Sequence, residues 1–418
     1  MTLLPGVVLA LALGLCLYSY VGYPAILRVL SLFRRRPTPA DQPGAWPFIS
    51  IAIPVHNEAA VIAGTLEQIL ALDYPAGRRQ ILVVSDASTD GTDDVVRRFG
   101  PRGVELLRVP ERRGKTAAEN AARPYLTGEI IVNTDASVHL QRGAVMHLVA
   151  AFGDPSVGVA SGRDVSVANL DDRANPGEQA YVGYEMWVRD LETRVGGIVG
   201  ASGCLYAIRK ELHMRFMPEH LSRDFGAALV AREQGYRAVS VPAAICYVPR
   251  SASLRREYRR KVRTMARGLE TLWYKRSLLN PARQGLFAWM LFSHKLCRWL
   301  APWALVPVVV ALAWLTPRHW WAGAALGVGG AAGLAAGLAW LWPDGRPLPR
   351  FLALPAYAVS GLVAALHAWL KALGGRGTAV WEPTRREEGR RGDAVLPGAA
   401  PAQHHGGRAQ HDLQVFER

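Results

Sequence analysis

Several apolar runs in this chain end in acids. In GEIIVNTDASVHL the run Ile130-Ile131-Val132 delivers the chain to Asp135, and small Ala136 separates that carboxylate from the Ser137 hydroxyl. QILVVSD ends at Asp86, and FISIAIPV runs into His56-Asn57-Glu58. A carboxylate at the tip of a buried strand loses solvation unless something there needs negative charge. The bland alternative is local: Asp and Ser cap helices and fill turns for reasons of their own.

The elements that must hold these tips follow from the pattern around them. FISIAIPV, QILVVSD, VELLRVP and GEIIVNTD each rise through branched apolar residues to a polar end, and each of the first three precedes a stretch able to form a helix, such as AAVIAGTLEQILAL. This β-α-β rhythm predicts an α/β domain with a mostly parallel sheet covered on both faces. Ligands of such sheets gather at the carboxyl ends of the strands, where Glu58, Asp86 and Asp135 stand.

Outside this middle the chain is apolar. Leu3 to Leu32 carries no charge before Arg28, and Trp299 to Leu315, Trp320 to Trp342 and Phe351 to Leu373 have the length a bilayer requires. The first segment lacks a basic start and a clear cleavage site, so it reads as an uncleaved anchor. Arg28 and Arg34 to Arg36 then place the following domain in the cytoplasm. The expected organisation is an anchor at 1–33, a soluble domain at 47–250, basic amphipathic interfacial helices at 251–298, membrane or interfacial helices at 299–373, and a polar, partly disordered tail at 374–418.

The formal charge is +15 over 418 residues, and it is concentrated in LRREYRRKVRTMARGLETLW and in the tail. Anionic lipid and a phosphorylated substrate account for that placement better than nucleic acid does. Leu254, Tyr258, Val262, Met265, Leu269 and Leu272 recur at helical spacing, as in a helix lying on a membrane surface. Cys16, Cys204, Cys246 and Cys297 form no Cys-x-x-Cys pair, so zinc and redox chemistry are not indicated.

IPVHNEA, VVSDASTDGT, RRGKTAAEN, NTDAS, GASGCLYAIRKEL and SRDFGAALVAREQGYRAV follow one another in this order. Together they resemble the membrane-bound family 2 glycosyltransferases, the group of cellulose, hyaluronan and poly-N-acetylglucosamine synthases. The resemblance covers about residues 48 to 250, and FSHKLCRW and WEPTRR extend it to C-terminal parts of bacterial members. It implies a cytosolic GT-A type, Rossmann-like nucleotide-sugar domain between N- and C-terminal transmembrane helices, in a multi-pass protein of the inner membrane. The partners it implies are a nucleotide-sugar donor, a glycan or lipid-linked acceptor, the bilayer and polysaccharide-export proteins.

The resemblance also assigns roles. Asp135 matches the first acid of the family's Asp-x-Asp motif, facing a divalent cation (Mg2+ or Mn2+) and the donor diphosphate; Ser137 stands where a second acid is usual, leaving the metal one negative charge fewer. Asp86 matches the acid that recognises the nucleotide base, and Glu58 an acid near the nucleoside. Lys115 approaches the diphosphate at a helix start, a solvated surface lysine being the alternative. Asp224 matches the general base, or else a helix N-terminal charge. Ser202 and Gly203 suit close approach of an acceptor, or a tight bend.

Some positions depart from the family pattern. Arg223 replaces an acid before Asp224, which touches acceptor details. Where processive relatives carry Gln-x-x-Arg-Trp, this chain has Arg260-Lys261-Val262-Arg263-Thr264. Arg263 keeps the arginine assigned to the diphosphate, while Thr264 offers no aromatic platform for a growing polymer. Glu185, Arg189 and Glu192 read as a surface ion-pair row, and His294 and Lys295 as headgroup anchors.

Three functions fit: an exopolysaccharide or cell-envelope glycosyltransferase, a single-sugar transferase acting on a polyprenyl-phosphate carrier, and a catalytically silent nucleotide-sugar binder. Topology carries a conflict. Three C-terminal crossings would export Arg376, Arg385, Arg386, Arg390 and Arg391, against the positive-inside rule. The expectation is therefore that Phe351 to Leu373, with Pro355, His367 and Lys371, lies in the interface or re-enters.

Overall fold

The computed structural model describes residues 3–34, 45–167, 176–249, 253–343 and 348–374. WEPTRR and the tail beyond 374 lie outside the described residues. An eight-stranded sheet is built from β1 (Ile49–Val55), β2 (Arg79–Asp86), β3 (Val104–Val109), β4 (Ile130–Thr134), β5 (His139–Leu140), β6 (Val157–Val167), β7 (Leu205–Arg209) and β8 (Arg237–Pro249), in the order β3-β2-β1-β4-β7-β6-β8-β5.

β3, β2, β1 and β4 are parallel, as the sequence rhythm predicts. The runs of β1, β2 and β4 are buried almost throughout because both faces are covered, while the edge strand β3 is only partly buried. Ile49, Ile51, Ile53 and Val55 point into one core with the helix Ile62–Leu70, while Ala52, Leu82, Val84 and Ile131 point into a second core on the other face. This is the two-residue period of a strand buried on both sides. Where Gly128 enters β4, a Cβ would lie 2.3 Å from the Ser50 nitrogen, so the strands close up only on glycine.

β7 runs antiparallel to both β4 and β6. Its first residue, Leu205, therefore pairs with Thr134 at the end of β4. That reversal carries the preceding loop, through Gly203 and Cys204, to the side of Asp135, whose backbone N–H donates to the Cys204 carbonyl (3.4 Å).

A third core joins this domain to the apolar helices. Tyr23 and Leu27 pack with Val188 and Leu191 of the helix Pro176–Val195, with Phe225 and Leu229 of the helix Arg223–Glu233, and with Leu272, Phe287 and Met290. Among the described residues four segments are long and apolar enough to cross a membrane: Leu3–Leu32, Leu286–Leu315, Trp320–Trp340 and Phe351–Leu373. The first C-terminal one begins at Leu286, inside the stretch expected to be interfacial, because the short helix Leu286–Leu291 continues through a π-helical turn, Phe292–Cys297, into Arg298–Leu315.

Three expectations change here. The apolar stripe of the basic helix Leu254–Tyr274 does not face lipid alone: Val262, Leu269 and Leu272 are buried in protein. On that helix Lys261 Nζ lies 3.5 Å from the Tyr357 ring centroid, and the Tyr258 hydroxyl is 3.0 Å from His367 Nδ1. Arg350–Leu373 is one unbroken helix, so a re-entrant turn is excluded, and Pro355 sits inside it without ending it. Finally, Glu185, Arg189, Glu192, His294 and Lys295 are not surface groups, since a buried network takes them up. Helical i,i+3/i+4 spacing looks the same in the sequence whether a face meets water or a second charged helix.

Candidate active site

The ends of β1 and β2 are laced together. Asn57 and Ala87, which follow these strands, take positive φ (54° and 53°), a conformation unusual for residues other than glycine and typical of functional turns. Asn57 Oδ1 accepts from the Thr89 backbone N–H (2.8 Å), the Glu58 N–H donates to Thr92 Oγ1 (2.9 Å), and the Ala59 N–H donates to Asp90 Oδ2 (3.0 Å). Glu58 is buried in this wall.

Asp86, 2 % exposed, accepts the backbone N–H groups of Arg113 (2.9 Å) and Gly114 (2.8 Å) through its two oxygens. That carboxylate shapes the loop leading into the helix Lys115–Ala122. Lys115, the first residue of the helix, is consequently directed inward. Its ammonium donates to Asp135 Oδ1 (2.6 Å) and to the Gly203 carbonyl (3.1 Å). The solvated alternative for Lys115 is thereby set aside.

The same loop closes on Asp224. A Cβ at Gly203 would lie 2.5 Å from Asp224 Oδ2, so glycine lets the helix Arg223–Glu233 approach this loop. Asp224 stands in the first turn of Arg223–Glu233, where an acid is favoured by the helix dipole, and its other oxygen accepts the Ser222 hydroxyl. Ser202 is 3 % exposed and donates its hydroxyl to the Asp164 carboxylate (2.7 and 2.8 Å). It braces the loop from behind.

Charge at the centre is finely balanced. Burial pushes the Lys115 ammonium down, but Asp135, Glu119 and Asp224 outweigh it and hold Lys115 above its ordinary range. Glu119 is 1 % exposed with neither oxygen hydrogen-bonded, and burial pushes its carboxyl up.

Arg223 stands where an acid was expected before Asp224. It turns away from the cleft, donating to Asn120 Oδ1 (2.6 Å) and the His213 carbonyl (2.5 Å) and lying 3.9 Å from Glu119. On the basic helix Arg267 is tied to the loop before Asp224. It donates to Thr116 Oγ1 (2.9 Å) and the Glu219 carbonyl (3.0 Å), bracing the loop that precedes Asp224. Arg263 lies one turn earlier on that helix, half-buried, and Thr264 is exposed. Sequence reasoning missed Asp164, Glu119 and Arg267: the first two have distant partners, and the third is hidden among many arginines.

Among the described residues no three His, Cys, Asp or Glu side chains converge as metal ligands. A protein-built metal cage does not fit this site. A cation taking most of its oxygens from a diphosphate and water does fit, because such ions are often held by one or two carboxylates. Asp135 offers one, partly exposed at a strand end and already facing a positive group in Lys115, with Ser137 two residues on.

Comparisons with known proteins bear on the whole arrangement. Residues 50–215 match the family model described as Glycosyl transferase family 2. Beta-monoglucosyldiacylglycerol synthase of Nostoc sp. is 28% identical over 173 residues, 40% of this chain and 37% of the relative. An N-acetylglucosaminyltransferase of Mesorhizobium japonicum is 26% identical over 231 residues, 50% of this chain and 53% of the relative. The chain thus spans between about a third and a half of these relatives. In fold it is similar to the mannosyltransferase PcManGT from Pyrobaculum calidifontis, solved in complex with GDP-Man and Mn2+, with TM-score 0.68, 24% identity, and coverage of 88% of this chain and 99% of that one.

Proposed function

We propose, from the glycosyl transferase family 2 domain formed by residues 50–215, that this protein is an inverting glycosyltransferase of the inner membrane. Its catalytic domain faces the cytoplasm and moves a sugar from a nucleotide sugar, UDP-linked by the family resemblance, to a hydroxyl of a lipid-linked or glycan acceptor in exopolysaccharide or cell-envelope synthesis. The observation that carries this reading is the convergence of Lys115, Asp135 and Asp224 on the loop through Gly203.

Each residue has a distinct task. Asp224 takes the proton of the accepting hydroxyl as its oxygen bonds to the anomeric carbon; the bond from that carbon to the diphosphate breaks, and its electron pair leaves with the diphosphate. Lys115 holds positive charge where the diphosphate oxygens gather. A magnesium or manganese ion, when bound by Asp135 and Ser137, supplies further positive charge there. Glu58 and Asp86 line the nucleoside side, Arg263 serves the diphosphate, and Ser202 and Gly203 shape the acceptor side.

Transfer of one sugar per encounter is the favoured form, because Thr264 gives a polymer no aromatic platform. The helix Arg350–Leu373 lies at the cytoplasmic surface beside the basic helix, since Lys261 and its neighbouring arginines are costly at bilayer depth. Titration calorimetry with UDP and GDP, with and without Mn2+, tests the donor half. Saturable binding that needs the metal and disappears in Asp135→Ala is expected; metal-independent binding, or none with either nucleotide, would overturn it.

A further inference from the structure

Asp135 already has a partner in the donor-free protein. Lys115 Nζ donates to its Oδ1 at 2.6 Å, the two side chains being 17 % and 18 % exposed, and to the Gly203 carbonyl at 3.1 Å. The ammonium thus sits on the carboxylate that the proposed function gives to a divalent cation. An ammonium and a metal ion at one carboxylate oxygen repel each other at contact distance. Either the cation is kept out or Lys115 moves.

A second position for the ammonium lies one turn along its own helix. Glu119 stands four residues on in the helix Lys115–Ala122, so the two side chains share a face. Its carboxyl is 1 % exposed, and neither oxygen accepts a hydrogen bond among the described residues. A buried acid left without donors is costly. The charged groups acting on it are Lys115, Arg223, Asp224 and Asp135. The two aspartates repel it, and Arg223, 3.9 Å away, donates to Asn120 Oδ1 and the His213 carbonyl. The buried Tyr206 hydroxyl is neutral and balances no charge. Lys115 is the cation on a long flexible stem beside it. An ammonium has three protons, so one held by Glu119 can still donate to a diphosphate oxygen.

We propose that Lys115 has two seats, Asp135 in the donor-free protein and Glu119 in the donor complex, so that a divalent cation is admitted only together with the nucleotide. Glu119 is then a positioning residue: it takes the ammonium off Asp135 and keeps it beside the diphosphate. The inference rests on the reading of Asp135 as the cation's ligand. The diphosphate drives the exchange, because its oxygens draw the ammonium away from Asp135 and add ligands for the cation. Without a nucleotide, Lys115 keeps Asp135 closed to free metal ions.

The test reads Mn2+ binding by electron paramagnetic resonance on the full chain in phosphatidylcholine nanodiscs, with and without UDP, and Tm reports folding. Only Mn2+ that is lost in Asp135→Ala counts as bound at the site. Wild type is expected to bind it at least about tenfold more weakly without UDP than with it. Lys115→Met should bind Mn2+ without UDP at least about tenfold more tightly than wild type does, because Asp135 is then open. With UDP present, Glu119→Gln should weaken Mn2+ binding about tenfold in the otherwise wild-type chain, and by less than about threefold in the Lys115→Met chain, which has no ammonium to seat. Equal Mn2+ affinity with and without UDP in wild type, or no gain in Lys115→Met, overturns the proposal. An equal loss from Glu119→Gln in both backgrounds overturns it too, by making Glu119 a packing or charge residue with no tie to Lys115. Site-bound Mn2+ in none of these proteins, with or without UDP, would instead overturn the reading of Asp135 as the cation's ligand, and the inference with it.

Discussion

On the proposed reading, replacing Asp224 with Asn separates proton removal from the structural contacts of that side chain. The amide keeps the shape beside Gly203 and can still accept the Ser222 hydroxyl. What it loses is charge in the first turn of Arg223–Glu233, a loss of about 0.3–1 kcal/mol in stability. In a domain of this size that lowers Tm by no more than about 4 °C. Lys115 keeps Asp135 and Glu119 as counter-charges, so the donor side is little disturbed. A positioned base contributes about 10²- to 10⁴-fold, or roughly 3–5 kcal/mol of barrier. The expected result is kcat lower by that factor with donor Kd within about threefold of wild type, read by nucleotide release in nanodiscs and by calorimetry. A kcat within about threefold of wild type, or donor binding lost in parallel with kcat, would remove Asp224 from the base role.

Asp135→Ala should weaken metal-supported nucleotide binding more than Ser137→Ala, because a carboxylate holds a divalent cation better than a hydroxyl; equal losses in a nucleotide titration against metal would contradict the ranking. Gly203→Ala places a methyl 2.5 Å from Asp224 Oδ2, so kcat should fall at least about tenfold with UDP affinity retained, and unchanged turnover would show that the loop does not position the base. Thr384→Cys in intact cells should resist a membrane-impermeant thiol reagent, and labelling would place the tail outside and make Arg350–Leu373 a crossing helix.

Most of the parallel half of the sheet was legible because β1, β2 and β4 are buried on both faces and so read as largely apolar runs ending in polar residues; the edge strand β3 is only partly buried. β1 and β2 fall within a residue of the expected runs. Asp86, Asp135 and Asp224 were legible for a different reason: they stand where an apolar or helical pattern starts or stops. The reversal of β7 had no such signal, since LYAIR pairs equally well in either direction and its partners β4 and β6 decide. Arg223 was opaque because its meaning lies with Glu119 and Asn120, about a hundred residues earlier. The buried network of Glu185, Glu192 and His294 was opaque likewise: charge spacing on one helix does not disclose the charged helix it meets.

On the proposed reading, Lys115, Asp135 and Asp224 together serve transfer of a sugar from a nucleotide sugar to a lipid-linked hydroxyl. The decisive measurement uses the purified chain in nanodiscs containing a bacterial lipid extract, given a panel of UDP- and GDP-sugars with Mn2+. The predicted result is nucleotide release with one sugar donor that is abolished by EDTA, together with a lipid product heavier by one glycosyl residue. Release with no donor in the panel, or a lipid fraction of unchanged mass despite nucleotide release, would contradict it.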